Sequence, residues 1–216
     1  MGPMWSAVLD FVFPRSPLKG TEGKLTTLEE LTRERTDPVL LEERELRALG
    51  LTSVDRIVAA AEYGKSPLLK QTIHRFKYMK VRSLHMPLAE VLLTALPLLV
   101  LNDDTVLCAV PLHWTRKFSR GFNQSALLAR VVGERASIPV ADLLKRTRPT
   151  GQQMKRGRVA RFSAMTSAFR CTVSPVPAHV ILVDDLSTTG ATLDACAKAL
   201  KSAGVERVEG LVVAHG

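Results

Sequence analysis

Two carboxylates and a hydroxyl-rich turn stand close together near the end of the sequence. The apolar residues 180–183 predict a strand buried on both faces, and Asp184 and Asp185 follow it directly. In an open sheet of parallel strands, ligands bind at the carboxyl ends of the strands. We therefore expect the two acids to face a ligand at that edge.

The turn after the acids is suited to an anion. Gly190 allows the backbone to approach a ligand closely, and the unpaired N–H groups of the helix that follows form a phosphate cradle. Because a carboxylate accepts hydrogen bonds from a vicinal diol, acids beside such a cradle fit a ribose with a phosphate at one end. The alternative is that Asp184 or Asp185 only caps the helix and the threonines only form its turn.

The residues Val180–Thr192, VILVDDLSTTGAT, resemble the motif with which type I phosphoribosyltransferases bind 5-phosphoribosyl-1-pyrophosphate (PRPP). The resemblance implies that Asp184 and Asp185 bind the ribose hydroxyls and orient the ribose for catalysis. A nucleotide-binding P-loop fits less well, because Gly20–Lys24 lacks its spacing and its Ser or Thr. The 5-phosphate loop implied by the resemblance consists of Ser187, Thr188, Thr189, Gly190, Ala191 and Thr192.

A second segment, VPLHWTRKFSRGFNQ at Val110–Gln124, follows another apolar run. An arginine fork binds phosphate through two hydrogen bonds. In a PRPP enzyme, cations and backbone donors would neutralise the pyrophosphate leaving group as its charge develops. The alternative is a solvated basic loop. The pyrophosphate site predicted here consists of Pro111, Leu112, Arg116, Lys117 and Arg120.

Together, the two segments and RTRPTGQQ at Arg146–Gln153 resemble the ComF/GntX family, the competence-protein-F-like phosphoribosyltransferases. Phe13-Pro14 and IHRFKY at Ile73–Tyr78 resemble further landmarks of that family. The resemblance implies an α/β fold of the type I phosphoribosyltransferase kind, a mostly parallel sheet flanked by helices with a small N-terminal helical segment. It also implies transfer of 5-phosphoribosyl from PRPP to an unknown acceptor. We expect Mg²⁺ to arrive with the pyrophosphate, held by phosphate oxygens and water rather than by protein ligands.

The sequence departs from the family pattern in three places. Members of the family often carry an N-terminal four-cysteine zinc ribbon, but Arg15–Arg35 contains no cysteine, so no zinc is expected. Ala164 stands where an Asn is frequent, and His215 and Gly216 follow the last predicted strand where an Arg is usual. These differences bear on the acceptor more than on the PRPP loop, and no general base is identified.

The charge distribution supports two further hypotheses. The chain carries a net charge of +9, while residues 114–170 contain thirteen basic and two acidic residues and reach +11. Such a stretch predicts an anionic partner: nucleic acid, a phosphorylated metabolite or an acidic membrane surface. The chain is then either a non-catalytic accessory protein of competence and DNA uptake that binds nucleic acid, or a regulator that senses PRPP or a nucleotide. A fold resemblance by itself does not establish turnover.

Composition limits the domain organisation and the compartment. With 216 residues, we expect one domain at 51–216 preceded by an N-terminal segment at 1–50. Three scattered cysteines exclude a disulfide framework and are typical of the reducing cytoplasm. The most apolar stretch, Met86–Leu101, is too short to span a membrane and contains Glu90. We therefore expect a cytoplasmic protein without a transmembrane segment; an oligomer is compatible with the sequence.

Alternation of apolar runs with helical patterns predicts the elements that position these residues. The first helix begins at Asp37-Pro38 and ends at Gly50, and the second begins at Ser66-Pro67. Further predicted helices cover Pro87–Leu99, Asn123–Arg135, Gln152–Phe162 and Thr192–Ala203, and predicted strands cover Arg56–Tyr63, Thr105–Val110, Ala178–Val183 and Val208–Ala214, while Asp142–Arg148 is left unassigned.

Overall fold

The fold is an α/β sandwich built on one mostly parallel sheet. The structure is a computed structural model, and it describes residues 31, 37–112, 121–147 and 168–216. Within these ranges the strands are β1 (Val39–Leu41), β2 (Arg56–Glu62), β3 (Thr105–Ala109), β4 (Leu144–Arg146), β5 (Phe169–Cys171), β6 (His179–Ser187) and β7 (Arg207–His215). The helices are α1 (Glu43–Ala48), α2 (Pro67–Tyr78), α3 (His85–Ala95), α4 (Gln124–Ala136) and α5 (Ala191–Lys201), with 3₁₀ turns at Arg82–Leu84 and Leu96–Leu98.

Five of these strands form the central sheet in the order β1-β2-β7-β6-β3. The pairings β2–β7, β7–β6 and β6–β3 are parallel, whereas the short edge strand β1 runs antiparallel to β2. Strands β4 and β5 form a separate two-stranded antiparallel sheet. The carboxyl ends of β2, β7, β6 and β3 therefore lie along one edge of the central sheet, which is the edge expected to bind a ligand.

Apolar residues cover both faces of the sheet. One core joins α2, α3 and α4 to one face and includes the buried Phe76, Leu92 and Leu128. The second core joins α5 and the β4–β5 hairpin to the other face and includes Cys196 and Phe169. This arrangement explains why the central strands are almost continuously apolar, because each strand is buried from both sides. Within the described ranges, the helices are too short or too polar to cross a lipid bilayer.

Most predicted elements are confirmed, and the signals that begin and end them are local. The Ser66 hydroxyl caps α2 by accepting a hydrogen bond from the Leu69 N–H at 3.3 Å, and Pro67 occupies the first helical turn. The Asn123 side chain caps α4 by accepting from the Ser125 N–H at 3.2 Å. Gly50 has a φ of +78°, which suits the end of α1. The predicted helix Gln152–Phe162 lies outside the described residues.

Two predicted boundaries are wrong. Residues 39–41 do not begin a helix but form β1, which pairs with Ile57–Ala59 of β2, and α1 starts only at Glu43. The gain from hydrogen bonds to an open sheet edge outweighs the local helix signal at Asp37-Pro38. Strand β6 does not end at Val183 but continues to Ser187, so both carboxylates lie within the strand rather than after it. Pairing of β6 with β7 extends to the register partner His215, which keeps this part of the chain extended.

A buried polar network joins the strands at the opposite, amino-terminal edge of the sheet. The Glu209 carboxylate is fully buried and lies 3.0 Å from His179 Nε2, and it accepts a hydrogen bond from Arg207 Nη2 at 2.9 Å. On its other side, His179 Nδ1 lies 2.9 Å from the Thr105 hydroxyl. Burial alone would raise the pKa of Glu209, but hydrogen bonds from His179 and Arg207 outweigh it and lower that pKa. The network thus links β3, β6 and β7 far from the carboxyl-terminal edge.

Candidate functional site

The carboxyl-terminal edge of the sheet brings the start of the Val110–Gln124 segment beside the strand that carries the two acids. Strands β3 and β6 are parallel neighbours, and the Val110 N–H donates to the Val183 carbonyl at 3.0 Å where β3 ends. Pro111 and Leu112 follow at once, next to the strand that carries Asp184. Three of the predicted pyrophosphate residues, Arg116, Lys117 and Arg120, lie outside the described residues.

The loop between β6 and α5 is shaped as an open cradle. Gly190 stands just before the helix with a φ of +71°, a left-handed conformation that favours glycine. Thr188 and Thr189 are exposed, and α5 begins at Ala191. A cavity of about 50 Å³ opens here, and its lining comprises Asp184, Leu186, Ser187, Thr188, Thr189, Gly190, Ala191, Thr192 and Leu193. All six residues of the predicted 5-phosphate loop therefore line one cavity, together with one of the two acids.

Contacts with a distant segment of the chain hold this loop in place. The buried Asp194 carboxylate in the first turns of α5 accepts hydrogen bonds from three successive backbone N–H groups, Thr52 at 2.9 Å, Ser53 at 2.6 Å and Val54 at 3.1 Å. Each is a charge-assisted hydrogen bond, which is stronger than a neutral one. A side chain at Gly190 would collide with the buried Leu51 of the same segment. The loop is therefore fixed against residues 51–54 before any ligand binds.

Asp184 is held by two hydrogen bonds and ionises with difficulty. Its Oδ1 accepts from the Ser125 hydroxyl at 2.7 Å and from the Asp185 N–H at 2.9 Å. Burial, together with the neighbouring Asp185 carboxylate, raises the pKa of Asp184 to about 6, while Lys77 and Ser125 oppose the rise. The side chain keeps some exposure and lines the cavity. A carboxylate in this position is available to a hydroxyl of a ligand.

Asp185 is paired with a buried lysine. Lys77 Nζ, in the last turn of α2, lies 2.8 Å from Asp185 Oδ1, and the two side chains are only 11% and 5% exposed. The sequence motifs give no role to Lys77 or to Ser125, although Lys77 belongs to the Ile73–Tyr78 landmark. A signal was present, because Lys77 follows Ile73 by four residues and so falls on the apolar face of α2, where a lysine requires a partner.

In the part of the chain that the structure describes, three polar atoms of this edge are buried without a hydrogen-bond partner. They are the Tyr63 hydroxyl, Ser187 Oγ and His215 Nδ1, from residues at the carboxyl ends of the neighbouring strands β2, β6 and β7. Burial lowers the pKa of His215, while Glu62 opposes that change, and burial raises the pKa of the Tyr63 hydroxyl above its usual range. Such groups are uncommon in folded proteins and are frequent where a ligand or water completes the bonding.

Asp184→Asn is expected to stabilise the folded protein at pH 8. The folded-state pKa of about 6 exceeds the unfolded value of 3.8, so ionised Asp184 destabilises the fold above pH 6, and the effect disappears below about pH 4. The gain should be about 1–2 kcal/mol, because the side chain keeps some exposure. Urea unfolding of both proteins at pH 8 and pH 4 measures it. A stability difference that is the same at both pH values would contradict the assignment.

Comparison with known proteins agrees with the fold. Residues 119–216 match the family model described as the phosphoribosyl transferase domain. The chain is 35% identical over 104 residues to competence protein F of Haemophilus influenzae, covering 46% of this chain and 45% of that protein. It is 30% identical over 161 residues to the DNA utilization protein YhgH of Escherichia coli K12, covering 71% of this chain and 69% of that protein.

A third relative is competence protein ComFC of Bacillus subtilis, with 28% identity over 142 residues that cover 66% of this chain and 57% of that protein. The chain thus spans about half the length of the Haemophilus and Bacillus relatives and about two thirds of the Escherichia relative. The matched domain includes α4, β6, the cradle loop and α5. The family model therefore covers Ser125, both acids and the cradle loop, but not Lys77.

Proposed function

Since the chain belongs to the family of ComF-like phosphoribosyltransferases, we propose that it binds PRPP at the carboxyl-terminal edge of the sheet and transfers the 5-phosphoribosyl group to an acceptor. The observation that carries the proposal is that the Gly190 cradle and Asp184 line one cavity, with Asp185 next to Asp184 in β6. A phosphate and a sugar diol on one ligand match these two features.

The cradle loop supplies donors without bringing a charge of its own. Its backbone N–H groups and threonine hydroxyls would bind the 5-phosphate, and the positive end of the α5 macrodipole favours the anion. Asp184 and Asp185 would accept hydrogen bonds from the ribose hydroxyls and fix the orientation of C1. The anchoring of the loop by Asp194 means that little reorganisation is needed on binding.

The leaving group requires positive charge. In the transfer step the C1–O bond to pyrophosphate breaks, its electron pair leaves with the pyrophosphate, and the acceptor supplies the pair for the new bond to C1 and loses a proton. Arg116, Lys117 and Arg120 of the segment after β3 have the chemistry to neutralise the departing pyrophosphate. Among the described residues, no three His, Cys, Asp or Glu side chains converge as metal ligands, so we expect Mg²⁺ to be held by pyrophosphate oxygens and water.

Calorimetric titration with PRPP and Mg²⁺ tests the proposal. The wild-type protein should show saturable binding, and Asp185→Asn should weaken it by at least about tenfold, since a hydrogen bond to a charged group contributes about 1.5–3 kcal/mol. Asp103→Asn is the matched control, because Asp103 is an exposed acid before β3 at the opposite edge and should bind as the wild type does. Binding that Asp185→Asn leaves unchanged would contradict the ribose assignment.

Pyrophosphate release in the presence of candidate acceptors then distinguishes an enzyme from a PRPP-sensing regulator. Steady release that requires an added acceptor would establish transfer. If PRPP binds saturably but no pyrophosphate is released under any condition, the protein is a regulator that senses PRPP at this site. The two outcomes involve the same residues, so only turnover separates them.

A second candidate function is binding of nucleic acid in competence or DNA use, which the names of the relatives and the +11 charge of residues 114–170 favour. Its signature is affinity for single-stranded DNA that falls steeply with salt concentration and depends on basic residues rather than on Asp185. Fluorescence anisotropy at several salt concentrations, with Asp185→Asn alongside, measures this. Affinity that does not change with salt would count against it.

A further inference from the structure

We propose that Lys77 is the resident counter-ion of the acidic pair and a positioning residue for the ribose, which makes two adjacent carboxylates compatible with a ligand that carries several negative charges. The proposal deepens the proposed function and rests on it. It gives a role to the Ile73–Tyr78 segment, which sequence analysis singled out without explaining. In this proposal the Lys77 side chain, and not a metal ion bound to the carboxylates, balances the charge of Asp184 and Asp185.

The geometry of Lys77 is that of a built contact. Its Nζ lies 2.8 Å from Asp185 Oδ1, with 11% of the lysine side chain and 5% of the aspartate side chain exposed. A lysine is rarely buried to this extent unless it is paired, because removal of an ammonium from water is costly. The position in the last turn of α2 also favours a cation, since the carbonyl end of a helix carries partial negative charge.

The core around α2 fixes the position of this ammonium group. Ile73 and Phe76 are fully buried on the same helix, and the ring of Phe76 lies 5.6 Å from that of Phe122. Phe122 immediately precedes the Asn123 cap of α4, the helix whose Ser125 hydroxyl donates to Asp184. One aromatic contact therefore aligns the helix that holds Lys77 on Asp185 with the helix that holds Ser125 on Asp184.

The negative charge of the Asp184–Asp185 pair opposes the binding of a phosphate-bearing ligand. Two ionised carboxylates on adjacent residues would repel the phosphate and pyrophosphate groups of PRPP, and the Asp185 carboxylate raises the pKa of Asp184. Lys77 acts in the opposite direction on Asp184. The lysine therefore reduces the negative charge that PRPP meets at the acidic pair, and it acts on the ribose through Asp185.

The test is calorimetric titration with PRPP and Mg²⁺ from pH 5.5 to 8.5 on Lys77→Met and Lys77→Arg. At pH 7.5, Lys77→Met should weaken binding by at least about tenfold and Lys77→Arg by less than about threefold. The fall of affinity at acidic pH should shift to higher pH in Lys77→Met and stay near the wild-type position in Lys77→Arg. Within residues 37–112, 121–147 and 168–216, the titratable groups that face the acidic pair are Lys77 from α2, Tyr63 after β2 and Cys196 from α5. The ligand's own phosphates titrate equally in every comparison.

Lys198→Met is the control, since Lys198 is an exposed lysine in the last turn of α5 and should leave the binding profile unchanged. The proposal is overturned if Lys77→Met binds PRPP with wild-type affinity. It is also overturned if the loss of affinity is equal at every pH and is not restored in Lys77→Arg, because that result indicates a purely structural role. If Lys77→Met does not fold, Lys77→Gln replaces it with the same expected results, since its amide removes the positive charge but still donates a hydrogen bond to Asp185. Failure of the proposed function is separately visible, because the wild-type protein would then bind no PRPP.

Discussion

Gly190→Ala is expected to lose PRPP binding by at least about a hundredfold and to destabilise the protein by about 2–4 kcal/mol. The residue has a φ of +71°, where a side chain is strained. A Cβ at this position would also stand 2.4 Å from Leu51 Cδ1 and 3.1 Å from Ile57 Cδ1. Both neighbours are buried and closely packed, so the loop rather than the core is expected to move, and the cradle loses its shape.

A second glycine separates the two causes. Gly50 has nearly the same backbone conformation, with a φ of +78°, but a Cβ there would meet no atom within 4 Å. Gly50→Ala should therefore cost only the backbone strain, about 1–2 kcal/mol, and leave PRPP binding intact. Urea unfolding and calorimetry on the two variants measure the difference. Equal destabilisation in both would show that crowding against Leu51 has no effect.

Glu209→Ala is expected to destabilise the protein by about 3–5 kcal/mol at pH 7. The substitution removes the acceptor of Arg207 and the partner of the buried His179, and it leaves polar groups unpaired between β6 and β7. Because this network lies at the amino-terminal edge, PRPP binding by the folded variant should be unchanged. Urea unfolding gives the stability, and Glu206→Ala is the control, as Glu206 is an exposed acid one residue before β7.

The stabilisation by Glu209 is expected to decrease as the pH falls. Its folded-state pKa is lower than the usual 4.5, so its contribution is fully present above pH 4.5 and is lost as the pH falls through the folded value. The stability difference between wild type and Glu209→Gln, which keeps the side-chain shape but cannot ionise, should therefore shrink between pH 7 and the acidic range. A difference that grows on acidification would mean that the carboxylate is not stabilised by its partners.

The elements of the fold could be predicted where their signals are local. Ser66-Pro67 specifies the start of α2 because a hydroxyl cap and a proline act within one helical turn. The interpretation of Asp37-Pro38 as a helix start was wrong because residues 39–41 pair with β2, a partner that a local reading does not include. Strand β6 is longer than its apolar run for the same reason: pairing with β7, not side-chain hydrophobicity, determines where it ends.

In the candidate site, too, the sequence predicts the residues that are contiguous and not those that are far apart. The cradle loop and the two acids are contiguous in the sequence, so a residue pattern alone identified them. The residues that hold them in place are not contiguous with them. The Ser125 hydroxyl donates to Asp184 from 59 positions away, and Asp194 accepts from N–H groups that lie 140 to 142 positions away. The IHRFKY letters place Lys77 on the apolar face of α2 and so indicate a buried partner, but they do not identify that partner as Asp185, which lies in a distant strand.

By itself, the sequence determined the features that depend on short-range stereochemistry: buried strands from apolar runs, helix starts from caps, and a phosphate-type turn from glycine and hydroxyl residues at fixed spacing. Only the tertiary structure decided which side chains meet across the sheet edge, that Lys77 neutralises Asp185, and that residues 51–54 hold the cradle. The physical reason is that burial and charge pairing depend on strand order and helix packing. These contacts join residues from separate parts of the chain, so they cannot be predicted from local conformational propensity.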